Sequence, residues 1–376
     1  MHRLTENRNV FLVLLLAVCA VPALGEDYPS RPVRFIVPFT VGGLDASREQ
    51  GSRLRDANVR ESAAAAVLIA QASTILEQYP TRPIRFIVPF TAGGGGDIII
   101  REIAQRLTAR IGQSVIVDNR AGAGGSVGTE LAARSPPDGY TLLMANVAPM
   151  AINVSVYKKL PYDPAKDFSP ITLLASFPNV LVVHPSVPAG SLAQLVALAR
   201  ARPGQLTYAS AGAGSTTHLA AEFFRGQAKI DLIHVPYKGG GSALIDLLAG
   251  QVTMYFGSMP AALPHIRSLR LRALGVTSLT RSAAAPDIPT VAESGFPGFE
   301  AVTWIGAVAP AGVPRNIVTR LNTELADIMR APEVRDKLLA QGAEPMTDAP
   351  EHFGAYIKSE IGKWASVVKL AGIAAQ

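Results

Sequence analysis

Residues 84–101 read Ile-Arg-Phe-Ile-Val-Pro-Phe-Thr-Ala-Gly-Gly-Gly-Gly-Asp-Ile-Ile-Ile-Arg, a short apolar run that breaks into four glycines and restarts with helical spacing. The run predicts a strand, the glycines a bare backbone loop, and Ile103, Leu107 and Ile111 continue a helical stripe that Gly112 stops. Such a junction aims main-chain N–H groups and the positive end of a helix dipole at one point, an arrangement that suits a small anion. Thr91, Gly93, Gly94, Gly95, Gly96 and Asp97 are therefore candidate ligand-binding residues.

Three later junctions repeat the pattern. A strand at 206–210 ends at Ser210 and passes through Gly212, Gly214 and Ser215 into a helix opened by Thr216, Thr217 and His218. The stretch from Val235 to Lys238 runs through Gly239, Gly240 and Gly241 to Ser242, read as a cap. Leu142 to Ala145 ends at Asn146. Ligands of open α/β sheets sit beyond the carboxyl ends of strands, so these four loops are where a site forms. A micromolar site needs about 8 kcal/mol, and a hydrogen bond to a charged group contributes roughly 1.5–3 kcal/mol. Four or five amide and hydroxyl donors on a carboxylate suffice without an arginine clamp. The bland alternative is that these glycines and serines only make tight turns.

Individual side chains keep two readings each. Asp97 either caps its helix or meets a ligand ammonium. Lys238 is either solvated or attracts an anion. His218 either packs in the first helical turn or contacts the ligand, and Tyr237 either lines a cleft or does not.

Familiar catalytic signatures are missing. Tyr208-Ala-Ser210-Ala-Gly212 lacks the first glycine of a nucleophile elbow, so Ser210 or Ser215 in an exported hydrolase is only an alternative reading. No glycine cluster completes GxGxxG, and no Gly-Lys-Ser/Thr follows Gly96, which argues against nucleotide cofactors. The six histidines do not pair at ligand spacing, and no metal site is expected.

The chain has 376 residues, 48% hydrophobic and 17% charged, enough for two globular domains. Its formal charge of +6 is scattered rather than clustered, which excludes a nucleic-acid groove and favours collecting small anions. Residues 1–25 read as a secretory signal cleaved after Gly25, with Arg3 and Arg8 ahead of an apolar core. The single cysteine, Cys19, lies within that core behind Leu16-Ala17-Val18, a poor lipid-anchor context. A periplasmic location and an unanchored monomer are expected.

Residues 28–43 match residues 79–94 at 13 of 16 positions. Two copies do not make a solenoid, and only the second is followed by a helical stripe. Residues 26–78 are read as a partial duplicate or extension, peripheral to function. From Tyr79 onward strands, including 171–177 and 180–184, alternate with helices, which predicts α/β layers with largely parallel sheets.

Several separated motifs carry a family resemblance. They are Tyr79-Pro-x-Arg-Pro-Ile-Arg-Phe-Ile-Val-Pro-Phe with Gly93-Gly94 and Asp97, Asn119-Arg120-x-Gly-Ala-Gly-Gly125, Pro137-Asp-Gly-Tyr140, Tyr157-Lys-Lys-Leu-Pro-Tyr-Asp-Pro, His234-Val-Pro-Tyr-Lys-Gly239 and Val308-Ala-Pro-Ala-Gly312. In this order they resemble the periplasmic substrate-binding receptors of tripartite tricarboxylate transporters. The resemblance covers Tyr79 to the C-terminus. It implies an α/β two-domain periplasmic-binding-protein (Venus-flytrap) fold, type II-like, with two hinge crossings. Domain 1 would hold 79–177 plus 302–376, and domain 2 178–301. It also implies a non-enzymatic receptor that takes a di- or tricarboxylate, aromatic acid or acidic amino acid, with membrane permease subunits as partners and no cofactor. A ligand sensor for a signalling partner is the other receptor reading. By resemblance, amides and waters in loops 91–97 and 210–216 hold the carboxylate, with Asn146 and Tyr237 nearby. One departure stands out: many relatives place an aspartate after Tyr255-Phe256, where this chain has Gly257-Ser258.

Overall fold

Strand β1 (Ile84–Val88) leads into helix α1 (Gly95–Ile111), then β2 (Val115–Asn119), α2 (Ser126–Ala133), β3 (Thr141–Asn146) and the short α3 (Asn153–Val156). Next come β4 (Phe168–Val183), α4 (Leu192–Ala201), β5 (Thr207–Ser210), α5 (Thr216–Ala228), β6 (Ile233–Pro236), α6 (Gly240–Leu248), β7 (Met254–Ser258), α7 (Met259–Arg267) and β8 (Arg272–Val276). The last elements are β9 (Val302–Pro310), α8 (Arg315–Arg330), α9 (Pro332–Ala340), β10 (Glu344–Pro345) and α10 (Pro350–Leu370). This computed structural model describes residues 79–370. The signal at 1–25, Cys19 and the duplicate within 26–78 lie outside the described residues.

Strand β1 buries Ile84, Phe86, Ile87 and Val88, so both its faces are covered, as in a parallel strand sandwiched by helices. It pairs in parallel with β2 and β3. Helix α1 buries Ile99, Ile103 and Leu107 at four-residue spacing. It stops at Gly112, whose φ of 69° is the left-handed C-cap and whose N–H reaches Thr108 O. Helix α8 presents Ile317, Leu321, Leu325 and Ile328 to the same core.

The two strands expected at 171–177 and 180–184 are one strand. Residues 168–178 of β4 pair with β9 in the first sheet, and residues 179–183 pair with β7 and β8 in the second. Pro178, facing Val302, is where the strand changes partners. A proline with adjacent polar Asn179 reads as a break in sequence, but here the residue without an N–H falls where one ladder ends and the other begins. The chain returns to the first sheet at Val302. These are the two crossings of the binding-protein fold. They also correct the expectation of largely parallel sheets: four pairings are parallel and five antiparallel among the described residues. Strands β4 and β9, which carry the chain across and back, run against their neighbours.

The second sheet is packed around Tyr208, Phe224, Phe256 and Phe299 on one side and Val180, Leu247 and Tyr255 on the other. Helix α7 was not expected, because Pro260 and Pro264 mask it; the first falls in the opening turn and the second inside the helix.

Candidate functional site

The strand–loop–helix junctions of both sheets meet. Helix α1 opens at Gly95 with Gly94 as N-cap, and α5 opens at Thr216 with Ser215 as N-cap, its Oγ accepting the His218 N–H at 3.2 Å. Helix α6 opens at Gly240, so Ser242 is not the cap; it sits in the first turn and donates its hydroxyl to Gly239 O. The loops touch closely. A Cβ on Gly241 would lie 1.8 Å from Ala92 O, one on Gly239 2.4 Å from Thr91 N, and one on Gly124 2.3 Å from Ala213 O. Three polar links join the same elements: Gly95 N–H to Ser258 Oγ at 3.1 Å, Ser242 N–H to Thr91 Oγ1 at 3.4 Å, and the Thr216 and Thr303 hydroxyls at 2.8 Å.

Between them lies a cavity of about 60 Å³. Of the expected site residues, Thr91, Gly94, Gly95, Gly96, Asp97, Asn146, Ser215 and Thr216 line it. Its remaining walls are Phe90, Met144, Phe177, Asn179, Ala211, Thr217, Gly240, Tyr255, Ser258 and Thr303. Sequence reasoning missed these ten, although Phe90 and Thr217 stand beside residues it chose and Ser258 had been marked as a departure. The first-turn amides of Gly96 and Asp97 in α1, and of Thr216 and Thr217 in α5, have no acceptor among the described residues. Four donors at two helix N-termini, one from each sheet, therefore face one small space.

Asp97 is 3% exposed and fully engaged. Its Oδ2 accepts from Gly93 N at 2.9 Å and Arg101 Nε at 2.9 Å, and its Oδ1 from Asn119 Nδ2 at 2.8 Å. Reaching back to the N–H of Gly93, it fixes the turn in which Gly93 takes a φ of 82°. Asn146 Oδ1 accepts from Ala148 N at 3.0 Å. Among the described residues, no Lys, Arg or His lines the cavity.

The other expected residues stand behind the wall or outside it. Ser210 is fully buried; its Oγ lies 2.7 Å from His234 Nε2 and accepts from Gly212 N. His218 Nδ1 accepts from Gly214 N, and its ring stacks on His234 at 4.3 Å; the Tyr208 ring lies nearly parallel to both, 4.8 Å from His234 and 6.5 Å from His218. Burial pushes both imidazoles down, His234 to about 4 with further depression from His218. This stack holds the 211–215 loop from behind. Spacing alone hid it, since Ser210, His218 and His234 come from three elements. Tyr237 donates to Asp246 Oδ2 at 2.6 Å, and Lys238 is exposed.

The family description "Tripartite tricarboxylate transporter family receptor" matches residues 99–373. The chain belongs to that family. The receptor is 41% identical to Protein BugT of Bordetella pertussis over 297 residues, 79% of this chain and 91% of BugT. Among solved structures, R. palustris Rpa4515 with adipate is similar at a TM-score of 0.77 and 39% identity, covering 79% of the receptor and 100% of that chain. MatC (Rpa3494) from Rhodopseudomonas palustris with bound malate is similar at 0.74 and 31%, covering 77% and 100%. The receptor's fold is thus that of the periplasmic binding proteins, and its relatives are solute-binding receptors. No helix among the described residues is long and apolar enough to cross a membrane.

Proposed function

We propose that this receptor is exported to the periplasm, binds a small organic dicarboxylate between its two sheets, and delivers it as a monomer to the permease subunits of a tripartite transporter. The observation that carries the reading is the set of four unpaired amides, two from α1 and two from α5, on one cavity. Hydrogen bonds to a charged acceptor contribute roughly 1.5–3 kcal/mol each, so four of them reach the ~8 kcal/mol of a micromolar complex. Phe90, Phe177 and Met144 supply apolar walls for the carbon chain between the carboxylates. The ligand-bound neighbours carry dicarboxylates, adipate and malate, which supports the same class here.

The residues proposed to hold the ligand are the lining members of the expected set, with Gly93, Ser210, Gly212, Gly214 and His218 as their support. Domain 1 (79–177 with 302–376) and domain 2 (178–301) then act as jaws hinged where β4 and β9 cross. A ligand that bonds to both favours the closed arrangement, and the permease reads closure. Calorimetry of the full chain against a screen of succinate, malate, adipate, citrate and benzoate tests the proposal. Heat of binding and a raised Tm with at least one carboxylate are expected; silence across the screen would overturn it.

A further inference from the structure

Asn179 is the first residue of β4 paired in the second sheet, and it lines the cavity. Its backbone is anchored on both sides: the N–H donates to Thr277 Oγ1 at 2.8 Å, and the carbonyl accepts from Thr277 N at 2.9 Å and Thr277 Oγ1 at 3.0 Å. The side-chain Nδ2 donates to Ala301 O at 3.3 Å. Oδ1 has no partner among the described residues, although the side chain is fully buried. Reversing the amide would set an oxygen against the Ala301 carbonyl, so the hydrogen-bond network fixes which end is free.

A buried acceptor without a donor is unfavourable and calls for a physical account. Two other buried oxygens share this condition, on Asn153 and Gln341, and neither residue lines the cavity. Asp97 differs, because each of its oxygens already accepts a hydrogen bond and neither is left without a donor. The first-turn amides satisfy carboxylate oxygens and leave Oδ1 untouched. What completes Asn179 is a donor on the ligand. An ammonium is disfavoured there by the positive ends of α1 and α5, whereas a neutral hydroxyl is not.

We propose that Asn179 Oδ1 reads a hydroxyl on the ligand, so that the receptor's preferred class is the small hydroxy-dicarboxylates. This rests on the carboxylate reading above and narrows it. The ligand O–H donates to Oδ1 while its carboxylates take the amides of α1 and α5. Because Asn179 stands where β4 leaves one sheet for the other, the same bond fastens the ligand to the crossing.

The test is calorimetric titration of the full chain with succinate, malate and 2-methoxysuccinate. Malate is expected to bind about tenfold more tightly than succinate. Methoxysuccinate, which keeps the oxygen but has no proton to give, should bind no more tightly than succinate. In Asn179→Leu the ratio of malate to succinate affinity should fall from about ten to about one, because loss of the Ala301 bond falls on both ligands alike. Equal malate and succinate affinity in the wild type overturns the inference, as does an advantage that survives in Asn179→Leu. The wild-type comparison decides the matter if the variant does not fold. Binding of another carboxylate but neither malate nor succinate overturns the hydroxyl inference and leaves the carboxylate reading standing; silence from every acid overturns both.

Discussion

Gly95, in the first turn of α1, donates its N–H to Ser258 Oγ at 3.1 Å and so ties the first sheet to the end of β7 in the second. A Cβ at Gly95 would lie 2.6 Å from that Oγ and 2.8 Å from the Ser258 Cβ. Gly95→Ala therefore pushes α1 away from the end of β7 and is expected to weaken the proposed carboxylate binding by at least ~10-fold. Ser258→Ala removes one neutral hydrogen bond, worth about 1 kcal/mol, and should weaken it about fivefold. Titration of both variants checks the order; a Gly95→Ala receptor with wild-type affinity would contradict the closed arrangement.

Gly241 and Gly94 form a contrasting pair. A Cβ on Gly241 meets Ala92 O at 1.8 Å, a backbone atom that cannot rotate away, whereas one on Gly94 meets nothing closer than 3.7 Å. Gly241→Ala should abolish measurable binding, while Gly94→Ala, at a buried lining position whose φ of −75° alanine adopts without strain, should weaken it far less. The ligand-free Tm should move by no more than a few degrees in either variant, because the Gly241 clash arises between the 91–94 loop and the start of α6 rather than within a core. A large Tm loss in Gly241→Ala would locate the strain elsewhere.

Removing the Asp97 side chain leaves Gly93 N, Arg101 and Asn119 without their shared acceptor. Arg101 is half exposed and recovers water, so the loss falls mainly on Gly93 N and on the half-buried Asn119. Asp97→Ala is expected to cost about 2–3 kcal/mol in denaturant unfolding and to weaken ligand binding, since the Gly93 turn loses its tether. Unchanged stability would mean that the turn is held by its glycines alone.

The stacked imidazoles set a pH dependence. Burial depresses His234 to about 4 from an ordinary 6.5, with His218 lowering it further and Glu222 opposing. His218 is lowered by burial, with Glu222 raising and Arg225 lowering it. Above pH 6.5 both states hold the rings neutral and stability is complete. Below it the unfolded chain takes protons that the folded chain refuses, so stability falls with pH until about 4. Carboxylates such as Glu102, raised by burial but lowered more by Lys337 and Arg106, act in the same direction only below their ordinary 4.5. Thermal melts from pH 8 to 4.5 should therefore show a falling Tm in the wild type and a shallower fall in His234→Gln. Parallel curves would exclude the histidine pair.

Much of this molecule was legible in its sequence because local signals and tertiary demands agree. The stripe of Ile99, Ile103 and Leu107, the stop at Gly112 and the run of glycines each mark an element that packing then rewards. That Thr91, Gly94 to Asp97, Asn146, Ser215 and Thr216 line one cavity was legible because they follow strand ends. What stayed hidden depends on distance in space. Nothing local sets Ser210 against His234, brings Ser258 to Gly95, or turns Pro178 from a break into a change of sheet. Asn179 fell between the two expected strands for the same reason.

In the proposed mode the cavity would hold its anion with main-chain amides rather than with cationic side chains. Counter-ions act on exposed charge, and the Debye length shrinks from about 10 Å at 0.1 M salt to about 3 Å at 1 M. Brine would thus quench the pull that the chain's net positive charge exerts on an approaching acid, while main-chain dipoles in direct contact would go on gripping one that has arrived. Ligand capture should slow as the medium grows saltier, and residence time should stay the same.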